Sequence, residues 1–312
     1  MLRIYRTEKG VLSLAPQIER HCWVCLTSPT EEELQYVQET LKILPEFLRY
    51  PLDEEETPRI ELEEDQLLII LRVPDPRHEE GYVRYETIPI GIIVTDEVII
   101  TICLKDNPVF EDFLMAVNRV KNFTLERPVL FLFHLFFSIA TLYLRYLRLI
   151  DRLINEYEQE LYRSMRNKEL LKLLNIEKSL VYFNTALRAN DIVLSRLQSG
   201  RFLRLTEDDL ELLEDVQIEN RQAIDMAKIF SDILTGTMDA YASVISNNLN
   251  VVMKFLTSVT IVLMLPNLVA SIYGMNIELP LQHSPHAFFI LMGLSFILSG
   301  IVVALFIKKK LF

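Results

Sequence analysis

Polar and sulfur-containing side chains recur every three or four residues along an apolar stretch near the end of the chain. They share one helical face and are Asn250, Met253, Thr257, Thr260, Met264, Asn267 and Ser271. Facing a central axis, neutral amide and hydroxyl oxygens in this pattern would line a narrow, neutral pore, with Met264 as an apolar constriction. The pattern is equally typical of residues that pack membrane helices together. The residue types therefore leave two interpretations, a pore lining and a packing face.

A second group with chemical potential contains the three cysteines. Cys22 and Cys25 form a single CxxC, and Cys103 and His21 are the residues that would complete a metal site. On a strand, thiols three residues apart point to opposite faces, which favours structural cysteines. The chain has eight glycines but no glycine-rich phosphate loop, and it offers no convincing nucleophile–base pair. We therefore expect neither an ATP-driven pump nor an enzyme.

Charge is unevenly distributed along the 312 residues. The first 250 residues carry 28 basic and 42 acidic side chains, a net charge of −14, whereas the last 62 carry four basic and one acidic, a net charge of +3. A globally basic nucleic-acid-binding protein is therefore excluded. The distribution indicates an acidic body attached to an uncharged, apolar tail with a basic end.

The tail contains two uncharged segments of 21 residues each, Phe255 to Met275 and Ala287 to Ile307. Each would extend about 30 Å as a helix, the thickness of a bilayer's hydrocarbon core. The connecting loop has no Lys or Arg, whereas Lys308, Lys309 and Lys310 follow the second segment. The positive-inside rule then places both chain ends in the cytoplasm and the loop outside. Small residues of the second segment are expected to pack against the first: Gly293, Ser295, Ser299 and Gly300.

The body is predicted to have an α/β part and a helical part. Runs rich in β-branched residues predict strands at Cys22 to Thr27, Leu67 to Val73, Tyr82 to Thr95 and Val98 to Leu104. Strand signals end after Glu126, and the last helix has no evident stop from about Thr206 to Ile272, a length of roughly 100 Å. Val129 to Ala140 is as apolar as the two tail segments but only twelve residues long, so a buried core helix containing His134 is favoured.

Tyr273-Gly274-Met275-Asn276 closes the first apolar segment and opens a short loop to the second. This closely resembles the YGMN signature of the CorA family of magnesium transporters. The resemblance extends through Ser246-Asn247-Asn248, Val252-Met253-Lys254, Leu256-Thr257, Leu265-Pro266 and the Lys308 to Lys310 tail. It covers about the last 70 residues closely, while the N-terminal part matches only in general layout.

The resemblance implies a funnel-shaped homopentamer with an α/β N-terminal cytoplasmic domain, a long helical stalk and two C-terminal transmembrane helices. It places Gly274, Met275 and Asn276 in the selectivity filter and the stripe that begins at Asn250 along the pore. Asn267 stands where many relatives have Thr. The implied localisation is the plasma (inner) membrane, multi-pass, and the implied partners are the bilayer, divalent cations and four further copies.

The family's gate closes when cytoplasmic Mg²⁺ fills sites between neighbouring protomers. The matching regulatory acids are assigned to Asp215 and, loosely, to Asp75, with Glu79 or Glu80 as alternatives. Solvated surface acids are the competing interpretation.

In the loop, Glu278 is the acid that would attract external cations. His283 and His286 would suit Zn²⁺, Co²⁺ or Ni²⁺, although an ordinary proline-containing loop explains them more simply.

The expected segments are an α/β domain over 1–124, long helices including the stalk over 125–250, a first span over 251–275, an external loop over 276–286, a second span over 287–307 and a basic tail over 308–312. The expected function is Mg²⁺ uptake through the pentamer's pore, with cytoplasmic Mg²⁺ as regulator. The alternatives are a Zn²⁺, Co²⁺ or Ni²⁺ transporter of the same family and a membrane-tethered metal sensor that does not conduct.

Overall fold

The computed structural model describes residues 1–8, 10–79, 82–121, 123–164, 167–277, 279–280 and 284–309. These residues form two compact units, Met1–Thr235 and Gly236–Phe312. The N-terminal unit contains a mixed β-sheet and helices α1 to α5. The C-terminal unit contains the end of helix α6 and all of helix α7.

The sheet has seven strands in the order β2-β1-β3-β7-β6-β5-β4. The strands are β1 Leu2–Glu8, β2 Val11–Leu14, β3 Cys22–Thr27, β4 Arg59–Glu63, β5 Gln66–Glu79, β6 Tyr82–Val94 and β7 Val98–Cys103. All neighbours are antiparallel except β3 and β7, which are parallel. All four predicted strands are present, and β5 continues six residues beyond its predicted end.

Both faces of the central strands are covered, which explains their nearly continuous apolar sequences. On one face Cys22, Val24 and Leu26 of β3 pack with residues of α1 (Glu31–Leu41) and α2 (Pro45–Arg49). On the other face Trp23, which is fully buried, stacks on Tyr5 and contacts aromatic rings of the following helices. A capping box, which the Thr30–Glu33 spacing indicates, opens α1, because Thr30 accepts from Glu33 N while the Glu33 carboxylate accepts from Thr30 N.

The remaining helices are α3 Pro108–Val117, α4 Pro128–Ser164, α5 Asn167–Gln198, α6 Glu207–Tyr273 and α7 Ala287–Lys308. Helix α4 contains the ambiguous apolar segment. By length and composition it is one of three described helices apolar enough to cross a membrane, yet 67% of its most apolar stretch is buried, against 6% for α6 and 11% for α7. This confirms the prediction of a core helix. His134 is half-buried in it beside Phe123, and burial lowers the pKa of its imidazole.

Helix α6 has 67 residues and belongs to both units. Thr206 precedes it and exchanges hydrogen bonds with Asp209, since Asp209 N donates to Thr206 Oγ1 while Thr206 N donates to the carboxylate. Thr206 therefore caps the N-terminus of the helix, and the Asp209 carboxylate is also paired with Arg127 at 2.8 Å. Pro266 lies inside the helix without ending it.

The absence of a side chain at Gly91 lets a short 3₁₀ helix, Tyr50–Leu52, pack on β6. A Cβ added at Gly91 would overlap Cγ of Pro51 and lie 2.8 Å from its Cβ. We expect Gly91→Ala to lower the free energy of unfolding of the N-terminal unit by about 1–3 kcal/mol, the usual cost of overpacking. Thermal unfolding followed through Trp23, the single tryptophan of the chain, measures this.

Gly236→Ala is the matched control. Gly236 lies in α6, and a Cβ added there meets nothing within 4 Å. A helical Gly→Ala change without a clash is neutral or stabilising by about 0.5–1 kcal/mol. Equal unfolding midpoints for Gly91→Ala and the wild type would contradict the packing argument.

Candidate ion pore and metal sites

The polar stripe on α6 is exposed over its whole length. All seven of its side chains are exposed in the single chain, with Met253 at 52% and Met264 at 62%. The hydroxyl of Thr260 donates to Leu256 O one turn earlier, a bond that leaves both lone pairs of the hydroxyl oxygen available as acceptors. The amides of Asn250 and Asn267 project from the same face of the helix. The stripe therefore presents oxygen atoms that other described residues of the chain do not cover.

Helix α7 packs on the opposite face of α6. Ser258 is buried there, at 4% exposure, and Val262 O accepts a hydrogen bond of 3.4 Å from Ser299 Oγ of α7. At 100° per residue, Ser258 and Val262 lie about 150° around the helix from the mean direction of the stripe. Packing between the described parts of α6 and α7 therefore does not explain the stripe.

The small residues of α7 divide into two groups. Ser295 and Ser299 are buried, as expected for packing against α6, and Ser295 also donates to Leu291 O. A Cβ added at Gly293 or Gly300, however, would meet nothing within 4 Å. The expectation that the glycines also pack against α6 is therefore wrong, because helical rotation turns them away from the contact.

The three residues of the expected selectivity filter form an exposed turn directly after α6. Gly274 N donates to Ala270 O at 2.9 Å and Met275 N donates to Ile272 O at 3.3 Å, so the helix tightens in its last turn. A Cβ at Gly274 would lie 3.3 Å from Ala270 O, which favours glycine there. Asn276 is exposed. Beyond the turn, the hydroxyl of Tyr273 donates to Pro280 O at 3.1 Å.

The loop acid Glu278 lies outside the described residues, and so does His283. His286 precedes α7 at its N-cap and makes no side-chain capping hydrogen bond. Whether the two histidines form a pair therefore stays a prediction.

Asp75 lies on the β5–β6 hairpin within a network of charged side chains. It is paired in register with Glu86 of β6, and Arg77 is paired with Arg84, so like charges face each other across the strands. Arg77 compensates the acids, with Nε 3.2 Å from Asp75 and 2.8 Å from Glu86. Lys105 Nζ lies 3.5 Å from the same oxygen of Asp75.

Glu54 completes this network at 2.6 Å from Arg77 and 2.8 Å from Lys105. Hydrogen bonds from Lys105 and Arg77 lower the pKa of the Glu54 carboxyl. Burial alone lowers the pKa of Arg77, but the pairs with Glu54, Glu86 and Asp75 raise it overall. The expected metal ligand Asp75 is thus already neutralised by basic side chains of its own chain. Sequence reasoning missed this pairing, although Arg77, two residues after Asp75 on a strand, was a signal for it.

Asp215 is exposed on α6. Of the alternatives to Asp75, the side chain of Glu79 and the whole of Glu80 lie outside the described residues. Among described residues, no group of three or more His, Cys, Asp and Glu side chains is arranged to hold a metal ion. Any regulatory metal site that involves Asp215 would therefore need ligands from another copy or from the undescribed residues.

The cysteines are free and buried in the sheet. Cys22 belongs to the apolar cluster under α1 and α2, while Trp23 and Cys25 lie on the other face, where Trp23 Nε1 donates to Thr101 Oγ1. Burial raises the pKa of the Cys25 thiol to about 11 and that of Cys103 to about 12. Uncharged thiols at this depth are inert, which fits the structural role predicted for them.

Taken together, the described residues define a class of protein: an α/β domain followed by two C-terminal helices, the long α6 and α7, each with a stretch apolar enough to cross a membrane. Residues 19–309 match the model of the family described as "CorA-like Mg2+ transporter protein". The chain belongs to this CorA family.

Individual relatives cover nearly the whole chain. The cobalt/magnesium transport protein CorA of Methanocaldococcus jannaschii is 31% identical over 297 residues, 92% of this chain and 90% of its own. The CorA of Thermotoga maritima is 24% identical over 291 residues, 92% and 82% of the two chains. The complete structure of the Methanocaldococcus jannaschii CorA magnesium transporter superposes with a TM-score of 0.85 and 29% identity, over 98% of this chain and 97% of that one.

Cysteine labelling tests the two faces of α6. In sealed vesicles, a water-soluble charged thiol reagent should modify Thr260→Cys, on the exposed stripe, and leave Ser258→Cys, under α7, unmodified. The native thiols provide a silent background because burial raises their pKa values. Labelling of Ser258→Cys as fast as Thr260→Cys would contradict the assignment of the faces.

Proposed function

We propose that this protein is a divalent-cation channel that admits Mg²⁺ to the cytoplasm through a pore between identical copies. The observation that carries the proposal is the stripe on α6, which is exposed and lies opposite the face that holds α7. Asn267 in contact with lipid would leave its side-chain amide without adequate partners, which is costly. Around a common axis the same groups would meet water and ions.

The number of copies follows from geometry and from the family. Two helices per chain cannot enclose an aqueous path, so several chains must contribute α6. Five is the number that the CorA resemblance implies. Met264, in the middle of the stripe, would then form a ring of thioether side chains, an apolar constriction that can stop ions when it dries.

The chemistry at the outer end suits a strongly hydrated ion. Mg²⁺ loses its water reluctantly, and a ring of Asn276 amide oxygens can accept hydrogen bonds from that water without displacing it. Neutral oxygens also bind weakly enough to release the ion, whereas a ring of carboxylates would hold it. Because the names of both curated relatives include cobalt and magnesium, Co²⁺ is the second cargo to test.

The proposed topology has the N-terminal unit and both chain ends in the cytoplasm of a cell with this protein in its inner membrane. Lys308 and Lys309 at the end of α7 support it. Residues 251–275 and 287–307 are proposed as the spans, with 276–286 outside. Helix α6 continues without interruption from Glu207 through the first span, so 125–250 includes a stalk that is one helix with the pore lining.

Regulation by cytoplasmic Mg²⁺ is proposed to act through the acids of α6. Between Glu207 and Asp239 this helix has ten acids and two bases, and Asp215 is one of the exposed acids. In an assembly of parallel copies these acids repel one another, and bound Mg²⁺ would offset the repulsion and favour the closed population. Asp75 contributes less in this scheme, because Arg77 and Lys105 already pair with it.

Asn276→Ala tests the pore. Purified protein in liposomes with a Mg²⁺-sensitive dye inside should show Mg²⁺ entry, and we expect Asn276→Ala to reduce the initial rate at least about tenfold, since the ordering of the hydrated ion is lost. Asn155→Ala, on α4 in the N-terminal unit, is the matched control and should conduct as the wild type does.

The same liposomes discriminate the alternatives. Wild-type flux that exceeds empty liposomes for no divalent cation would support the non-conducting sensor. Unchanged flux in Asn276→Ala would reject the filter assignment. Dyes for Co²⁺ and Zn²⁺ in parallel samples rank the transported ions.

Asp215→Lys tests the regulatory proposal. Mg²⁺ should protect the wild type from limited proteolysis by stabilising the closed assembly, and Asp215→Lys should raise the protective Mg²⁺ concentration about tenfold, because it replaces attraction by repulsion. Glu214→Lys is the matched control, since this exposed acid points about 100° away on the same helix. Equal shifts in both variants would mean that net charge, and not a site at Asp215, governs protection.

A further inference from the structure

One side chain of the C-terminal unit, that of Tyr273, links the end of α6 to the loop that follows the proposed filter turn. Tyr273 is the last residue of α6, and its hydroxyl donates to the backbone oxygen of Pro280 at 3.1 Å. The bond joins residues seven apart in the chain, one before and one after Gly274, Met275 and Asn276. The turn that presents Asn276 is therefore bounded on one side by the helix and on the other by this hydrogen bond.

The aromatic ring of Tyr273 packs beside α6 and α7, and its hydroxyl extends to Pro280. The aromatic body is half-buried and lines a mostly apolar cavity of about 280 Å³ between α6 and α7, together with Pro266, Ala270, Phe288 and Met292. A tyrosine with an apolar body fixed between helices and a polar tip in a hydrogen bond is a rigid connector, because it has only two side-chain torsions to restrict. Both helices thus determine where the Pro280 carbonyl lies.

The described backbone hydrogen bonds of the turn lie at its helical end. They are Gly274 N to Ala270 O and Met275 N to Ile272 O. Met275 is 55% exposed, and Asn276 is exposed as well. Recognition of a hydrated ion by an amide ring requires that each amide be held in place before the ion arrives, since ordering it afterwards costs binding free energy.

We propose that Tyr273 is a positioning residue for cation recognition: its hydroxyl, through Pro280 O, fixes the turn that presents Asn276 to the ion. This inference rests on the proposed function and adds a residue and an interaction to it. Tyr273 itself does not contact the ion in this scheme, so its removal should weaken and broaden recognition without abolishing transport.

Tyr273→Phe removes the hydroxyl and keeps the ring in its cavity. In the liposome assay we expect the apparent KM for Mg²⁺ to rise by about two- to tenfold, the range given by the loss of one ordinary hydrogen bond, with the maximal rate changed less. The ratio of Mg²⁺ to Ca²⁺ flux should fall in the same variant. Assembly size and thermal unfolding should match the wild type, because the apolar contacts remain.

Two further variants separate positioning from structure. Tyr36→Phe removes an exposed hydroxyl from α1 and should leave KM and the flux ratio unchanged. Tyr273→Leu also removes the ring and should enlarge both effects. If the wild type and Asn276→Ala behave as proposed but Tyr273→Phe keeps the wild-type KM and flux ratio, the positioning role is rejected and the pore stands. If the wild type does not conduct, both proposals fall together.

Discussion

A polar group inside a bilayer needs a hydrogen-bond partner, and this requirement constrains how the apolar part of α6 can lie in a membrane. The stripe on α6 projects amides and hydroxyls along most of a membrane-spanning length, while α7 occupies the other side of the helix. In the described part of a single chain the Thr260 hydroxyl donates to Leu256 O of its own helix, but the stripe as a whole stays exposed. An assembly of copies, as proposed above, would place the stripe against water or against other copies and so make the first span tolerable in the membrane.

The contact between α6 and α7 determines which face of α6 is turned away from α7. Its described contacts use small hydroxyl residues, Ser258, Ser295 and Ser299, which let the helices approach closely. Because these serines lie at the contact, Thr260 and Asn267 lie on the opposite face of α6 and point away from α7. The buried serines mark the face of α6 that contacts α7, and the exposed amides and hydroxyls mark the opposite face. The two patterns therefore indicate the same orientation of the helix.

The sequence was sufficient where local rules act alone. The Thr30–Glu33 capping box, the β-branched strands and the buried status of Val129 to Ala140 all follow from spacing and length. The edge strands β2 and β4 were not predicted, because β2 has only four residues and because acidic residues alternate with apolar ones in β4. Cross-strand register was equally out of reach, and with it the pairing of Asp75 with Arg77 and Lys105. Long-range contacts of this kind depend on how distant segments meet, which periodicity does not encode.

That pairing changes how the acidity of the chain should be interpreted. A net charge of −14 over the first 250 residues suggests a body uniformly attractive to cations, yet on the β5–β6 hairpin acids and bases alternate and compensate one another. A large share of the net negative charge lies on α6, where ten acids accompany two bases between Glu207 and Asp239, and one of the ten, Asp209, is paired with Arg127. Because the same helix continues into the proposed pore lining, a change in the repulsion between its acids acts on the element that lines the ion path. A gate that responds to cytoplasmic cations would then need no separate transmitting domain.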